Sequence, residues 1–127
     1  MRFAHQLTYE LGLVFSDYDE LHQWSIDYPE LFWQQVWTFT NIRASKNADS
    51  ILSDADQFLG ATWFSGARLN FAENLLRNRT EKIALIARLE NGQRKTLSYA
   101  ELYQQVTDCA ASLRNLGVVS GDRVAGF

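Results

Sequence analysis

Apolar positions in the first forty residues recur at helical spacing. Phe3, Leu7, Leu11 and Val14 line one face and predict an opening helix. Gly12 offers its stop, because glycine accepts the left-handed conformation at a helix end. Asp17 then supplies an N-cap, with Glu20 three residues later to complete a capping-box-like pair. The helix that follows, over residues 17–27, carries Tyr18, Leu21, Trp24 and Ser25 along one side. Asp27-Tyr28-Pro29-Glu30 repeats the start signal, with the chain's one proline in a first turn where no amide hydrogen bond is lost. A further helix is predicted over 29–41. In it Phe32, Val36 and Phe39 form one stripe, and Trp33 and Trp37 form an adjacent one. An apolar arc that wide predicts burial on two sides.

The pattern then changes twice. Residues 43–66 are rich in Ala, Ser, Asn and Asp and read as irregular. Ile51, Leu52, Phe58, Leu59, Trp63 and Phe64 are expected to pin this segment to the surface, with a short helical turn around Ala55–Phe58. Asn70 is expected to cap a short helix, Phe71–Arg77, with Glu73 at its third position. From Ile83 the run IALIARLE reads as a strand. Asn91-Gly92 signals a two-residue type I′ turn, since both residues tolerate positive φ, and the return strand is expected over Arg94–Leu97. Ser98-Tyr99-Ala100-Glu101 is a full S-x-x-E capping box. The helix it opens would bury Leu102, Val106, Cys109, Ala110 and Leu113, and Leu116-Gly117 would close it. Gly121-Asp122 then turns into Val124–Phe127, which reads as the start of a buried strand. An apolar strand left open at a terminus exposes groups that a finished domain covers, so a piece of a longer protein is expected.

Composition narrows the class without naming a function. Of 127 residues, 46% are hydrophobic and 21% charged, which excludes a disordered tail. No apolar run approaches the roughly 20 residues of a membrane span, and the first twelve residues lack the apolar stretch of a signal peptide. A single cysteine, Cys109, cannot form an internal disulfide, so a cytoplasmic setting is expected. The net charge of −3 argues against general nucleic-acid binding. The tryptophan-rich helix could stack bases, but it lacks Lys and Arg.

Charge is uneven. Residues 1–42 hold six acids against one base, Arg2, whereas Arg68, Arg77, Arg79, Lys82, Arg88, Arg94 and Lys95 face only Glu73, Glu81 and Glu90. Solvated faces with local ion pairs explain this adequately; the sharper alternative is a surface for the acidic N-terminal part or for an anionic ligand.

Local chemistry is sparse. Neither G-x-x-x-x-G-K-[ST] nor G-x-G-x-x-G occurs. His5 and His22 are separated from each other and from cysteine, so no zinc site is supported. Cys109 falls on the apolar helix face beside Asp108, the wrong setting for a thiolate. Ser98 is accounted for by capping, and Asp17/Asp19 and Asp54/Asp56 by a cap and a loop. No catalytic, cofactor-binding or metal-binding residue is assigned.

Three stretches, however, match a family. DYDELHQWSIDYPELFWQQVW (17–37) resembles the N-terminal helical cap of acetyl- and acetoacetyl-CoA synthetases. WFSGARLNFAENLLRNR (63–79) resembles the next landmark of these enzymes, in a form closer to the acetoacetyl branch, with Ser65 where proline is expected. LSYAEL (97–102), followed by the A..L...G...GDRVA pattern, is similar to the first core motif of the adenylate-forming superfamily. The resemblance implies an α/β fragment: an N-terminal helical cap with an irregular connector over 1–66, then over 67–127 a β-hairpin, a helix and the first strand of a truncated AMP-binding large domain.

It also implies an activity for the whole enzyme. Acetoacetate, or acetate or another short acid, would react with ATP and Mg2+ to give an acyl-adenylate, which CoA converts to the thioester. Phosphate loop, ribose acid and mobile-domain lysine all lie downstream of Phe127 in the family. The resemblance therefore implies a scaffold, inactive alone, that binds none of these cofactors and packs on the rest of its own chain. Asn70, Glu73 and Asn74 are tempting ligand contacts, though capping and loop anchoring account for them. The other reading is a free-standing helical interaction module that docks a partner on Trp33 and Trp37. An open strand at 124–127 would also permit self-association.

Overall fold

The computed structural model describes residues 2–57 and 59–126, which form two compact units, Met1–Phe71 and Ala72–Phe127. In the first unit, α1 (Arg2–Leu11), α2 (Tyr18–Asp27) and α3 (Pro29–Phe39) precede an antiparallel hairpin of β1 (Ser50–Ser53) and β2 (Thr62–Ser65). Next in the chain comes α4 (Phe71–Leu75). The second unit pairs β3 (Ile83–Arg88) with β4 (Arg94–Ser98) and adds α5 (Tyr99–Asn115). No helix among the described residues is long and apolar enough to cross a membrane.

Local hydrogen bonding explains where the helices begin and end. Gly12, at φ 70°, terminates α1, and its amide donates to the Thr8 carbonyl at 3.0 Å. That stop leaves Val14 outside the helix and 78% exposed, not on its buried face as the spacing predicts. Asp17 caps α2: the Glu20 amide donates to its Oδ1 at 3.0 Å, and the Glu20 carboxylate reaches back to the Ser16 amide at 2.8 Å. Helix α3 ends two residues before the expected limit because Asn41 takes a left-handed φ of 52°. Its amide donates to the Thr38 carbonyl and the Ile42 amide to that of Trp37, satisfying the last carbonyls in a Schellman arrangement. Gly117 and Val118 repeat it at the end of α5, donating to Arg114 and Leu113.

The core of the first unit is small. Leu7, Leu21 and Trp24 are buried, with Phe3, Leu13, Phe15, Leu31 and Phe32 packed around them. Tyr18, expected on the same side as Leu21, is instead exposed and stacks on His22. The two aromatic stripes of α3 do meet different neighbours. Phe32 packs edge-on to Phe3 and Trp24, while Trp33 contacts Trp63 and Trp37 stacks on Phe64 at 4.6 Å between centroids. Even so, no residue of α3 is fully buried, and Trp33 and Phe39 are exposed at their outer edges. Two layers cover this helix incompletely.

Residues 43–66 are not irregular. Ser50 pairs with Ser65, Leu52 with Trp63 and Ser53 with Thr62, and β1 packs on α3. Four-residue strands of mixed polarity carry almost no periodic signal, so cross-strand pairing and the α3 surface decide them. Of the expected anchors, Ile51, Leu52 and Phe64 are half-buried, Leu59 is 89% exposed, and Phe58 lies outside the described residues. A turn does occur at Ala55-Asp56, closed by the Gln57 amide donating to the Asp54 carbonyl at 3.0 Å.

In the second unit the Asn91-Gly92 signal yields a different turn. The Gly92 amide donates to the Leu89 carbonyl and the Leu89 amide to that of Gln93, each at 2.9 Å. Gly92 has φ 79° but Asn91 is not in the positive-φ region. The loop is therefore three residues, Glu90–Gly92, with Gly92 in a G1 bulge, not a type I′ pair. Asn91 Oδ1 accepts the Gln93 amide at 3.0 Å, which favours this form. Helix α4 stops at Leu75, two residues before the expected Arg77.

The predicted buried face of α5 is mostly uncovered. Leu102, Ala110 and Leu113 are half-buried, Val106 is 38% exposed and Cys109 is exposed. A two-stranded hairpin is too narrow to cover five turns of helix. Residues 124–126 form no strand, and Val124 is 62% exposed, since no described strand pairs with them.

Candidate functional site

Each of the three stretches singled out in the sequence has a structural role that its geometry makes explicit. The first, 17–37, begins on the Asp17 cap and delivers Leu21 and Trp24 to the core. The second opens on β2, and its turn is held by backbone bonds to 45–49. The Ser45 and Lys46 amides donate to the Arg68 carbonyl at 2.7 and 3.3 Å, the Arg68 amide donates back to the Lys46 carbonyl at 2.9 Å in an isolated bridge, and the Asp49 amide donates to the Ser65 carbonyl at 2.8 Å. Gly66, at φ 78°, lies directly against the Asp49 carboxylate, which also pairs with Lys46 at 2.7 Å. A side chain at position 66 would displace that ion pair. Phe64 holds a φ of 47°, a conformation that a bulky residue adopts only when its surroundings impose it, here the stack on Trp37. The serine at position 65 sits in the strand, half-buried, and does not disturb the turn.

The third stretch is the start of α5. The Glu101 amide donates to Ser98 Oγ at 3.2 Å, and Glu101 Oε2 accepts the Ser98 amide at 2.8 Å. The bond from the Ser98 amide, then that from its hydroxyl, holds the Glu101 carboxyl below its usual range. The Tyr99 and Ala100 amides donate to the carbonyls of Lys82 and Thr80, each at 3.0 Å, so the first-turn donors of α5 are satisfied. Above this turn the Arg79 guanidinium lies 3.7 Å from the Tyr103 ring centroid. Nothing in the local pattern signals that cation–π contact, because the two residues are brought together by the hairpin between them.

The remaining reactive side chains do not converge. His5 and His22 are exposed on separate helices, and Cys109 is exposed beside Asp108, whose carboxylate accepts from Gln104 at 2.8 Å. Asp54 and Asp56 lie in the turn between β1 and β2. Among the described residues no group of three or more His, Cys, Asp or Glu is placed to hold a metal ion. A groove of about 490 Å³ runs between the start of α3 and β1, lined by Asp27, Tyr28, Leu31, Gln34 and Leu52 among others. Among the described residues these side chains anchor backbone and present surface.

Comparison with known proteins gives this arrangement a context. The family described as Acetyl-coenzyme A synthetase N-terminus matches residues 18–75, and AMP-binding enzyme matches residues 71–127. The acetoacetyl-CoA synthetase of Xenopus tropicalis is 37% identical over 129 residues, and the malonamoyl-CoA synthetase of Penicillium aethiopicum 35% identical over 132 residues. These alignments cover 99% and 98% of this chain but 19% and 18% of the relatives. The chain thus spans about a fifth of the length of the curated relatives it matches. The solved acetoacetyl-CoA synthetase from Streptomyces lividans matches with a TM-score of 0.87 and 38% identity, over 99% of this chain and 20% of that one. Two consecutive family matches, a shared fold and identity sustained along nearly all of the chain lead to one conclusion: it is a homologue of the N-terminal portion of acetoacetyl-CoA synthetases, matching the acetyl-CoA synthetase N-terminus first and the AMP-binding enzyme family after it.

Proposed function

We propose that this chain supplies the N-terminal scaffold of an acetoacetate–CoA ligase that acts in the cytoplasm. In that reaction a carboxylate attacks the α-phosphate of ATP to give an acyl-adenylate and pyrophosphate. The CoA thiol then displaces AMP to give the acyl-CoA. The observation that carries the reading is the collinear match to the Streptomyces lividans enzyme over 99% of this chain. Residues 1–66 act as the helical cap and 67–127 as the opening of the large domain.

The side chains of this segment do not fit Mg2+, ATP or CoA as catalytic ligands. Among the described residues its carboxylates form no group of three that could hold a metal ion, and the first-turn amides of α5 are already satisfied by Thr80, Lys82 and Ser98. No chemical step is assigned to them. What the segment contributes is a preformed cap and a hairpin–helix edge on which the remainder of a ligase is built, with Leu85, Ile86, Val106 and Val124 left as apolar surface. We assign no acyl selectivity to this segment, which a malonamoyl-CoA synthetase shares at nearly the same identity as the acetoacetyl enzymes.

A chimera tests the proposal. The matching N-terminal portion of the Streptomyces lividans enzyme is replaced by this chain, and acetoacetate-dependent AMP release is measured. The chimera is expected to retain activity, while the 127-residue chain alone forms no acyl-adenylate. A folded but inactive chimera, or ATP turnover by the chain alone, overturns it.

A further inference from the structure

We propose that Arg88 and Arg94 form a binding site for a soluble phosphate-class oxyanion at the end of the β3–β4 hairpin. The two arginines are direct cross-strand partners. The neighbouring pair, Leu89 and Gln93, is joined by the Leu89 amide, which places Arg88 and Arg94 at a non-hydrogen-bonded position. At such positions the Cα atoms approach to about 4.5 Å and the side chains leave the sheet on the same face. Two like charges set directly opposite each other repel. Among the described residues neither guanidinium has a carboxylate within ion-pair distance, although Glu90 lies in the intervening loop.

The bulged loop fixes this juxtaposition. Gly92 sets the register, and Ala87–Lys95 and Ile86–Thr96 extend it down the ladder. Lys95 falls on the opposite face by strand alternation, and Lys82 lies before the strand, so the two arginines stand apart from the other bases of the cluster. Two guanidiniums at one register position call for two negative charges within a few ångströms. A dianionic phosphate supplies both, with oxygens enough for both planar forks, whereas one carboxylate neutralises only one. The site is separate from the ligase reading and stands or falls without it.

The test is titration of the full chain with inorganic phosphate at low ionic strength, followed through the arginine Nε–H resonances. Saturable shifts confined to Arg88 and Arg94 are expected, with none from chloride at matched ionic strength. R88Q and R94Q are each expected to weaken binding by about tenfold or more, and R88K by a similar factor because the planar fork is lost. K82Q and K95Q remove the same charge and are expected to stay within about twofold. Equal weakening by the lysine variants, or shifts that never saturate, would overturn the site. Phosphatidylcholine vesicles doped with phosphatidic acid form a second arm. Capture by these vesicles without any response to free phosphate also overturns the proposal, because the anion would then be a lipid headgroup.

Discussion

Ser98 and Glu101 cap α5 reciprocally: the Ser98 amide donates to Glu101 Oε2 at 2.8 Å and the Glu101 amide to Ser98 Oγ at 3.2 Å. Among the described residues Ser98 is the one buried polar residue, at 8% exposure, so its hydroxyl has no ready substitute from water. Ser98→Ala is expected to cost about 1 kcal/mol in denaturant unfolding. A change near zero would mean that the carbonyls of Thr80 and Lys82 hold the helix start unaided.

The same pair makes stability depend on pH. Because the Glu101 carboxyl is held below its usual value of 4.5, the ionised form is favoured in the folded chain. Its contribution is complete above that usual value and is lost as pH falls through the lowered one. The stability difference between the wild type and Glu101→Gln should therefore shrink on acidification below 4.5 and be constant above it. A difference that grows on acidification would contradict the assignment.

Gly66→Ala tests the turn after β2. The residue needs a φ of 78°, and a Cβ would strike the Asp49 carboxylate. Backbone strain alone should cost about 1–2 kcal/mol, measured by thermal or denaturant unfolding. Asp49→Ala in the same background should recover the steric part and leave the conformational part.

Trp37 and Phe64 are stacked with rings 27° apart, and this stack supports the left-handed backbone at Phe64. A double-mutant cycle with Trp37→Leu and Phe64→Leu should give a coupling of about 0.5–1.5 kcal/mol. Additive effects would show that the β1–β2 hairpin holds Phe64 without the tryptophan.

How much of this was legible beforehand depended on the range of the interaction. The caps at Asp17 and Ser98 and the glycine stop at Gly12 stand where the pattern puts them. The Asn91-Gly92 hairpin was legible as a hairpin but not as a bulged one, because the choice rests on a side-chain bond from Asn91 to the Gln93 amide. The β1–β2 ladder was missed altogether, since its partners are up to fifteen residues apart and each strand has only four. For the site, the family landmarks were readable as motifs, but the Gly66–Asp49 contact and the Arg79–Tyr103 pair were not.

From its order of residues alone the chain determined its helix starts, most of its stops and its likeness to acetoacetyl-CoA synthetases, because those depend on hydrogen bonds spanning three to five residues and on contiguous motifs. Only the tertiary structure decided which apolar faces are covered. Trp24 is buried while Cys109 and Val106 are not, although both patterns read as buried faces. Periodicity states which side of a helix is apolar; whether another surface arrives to cover it is settled by packing between distant segments.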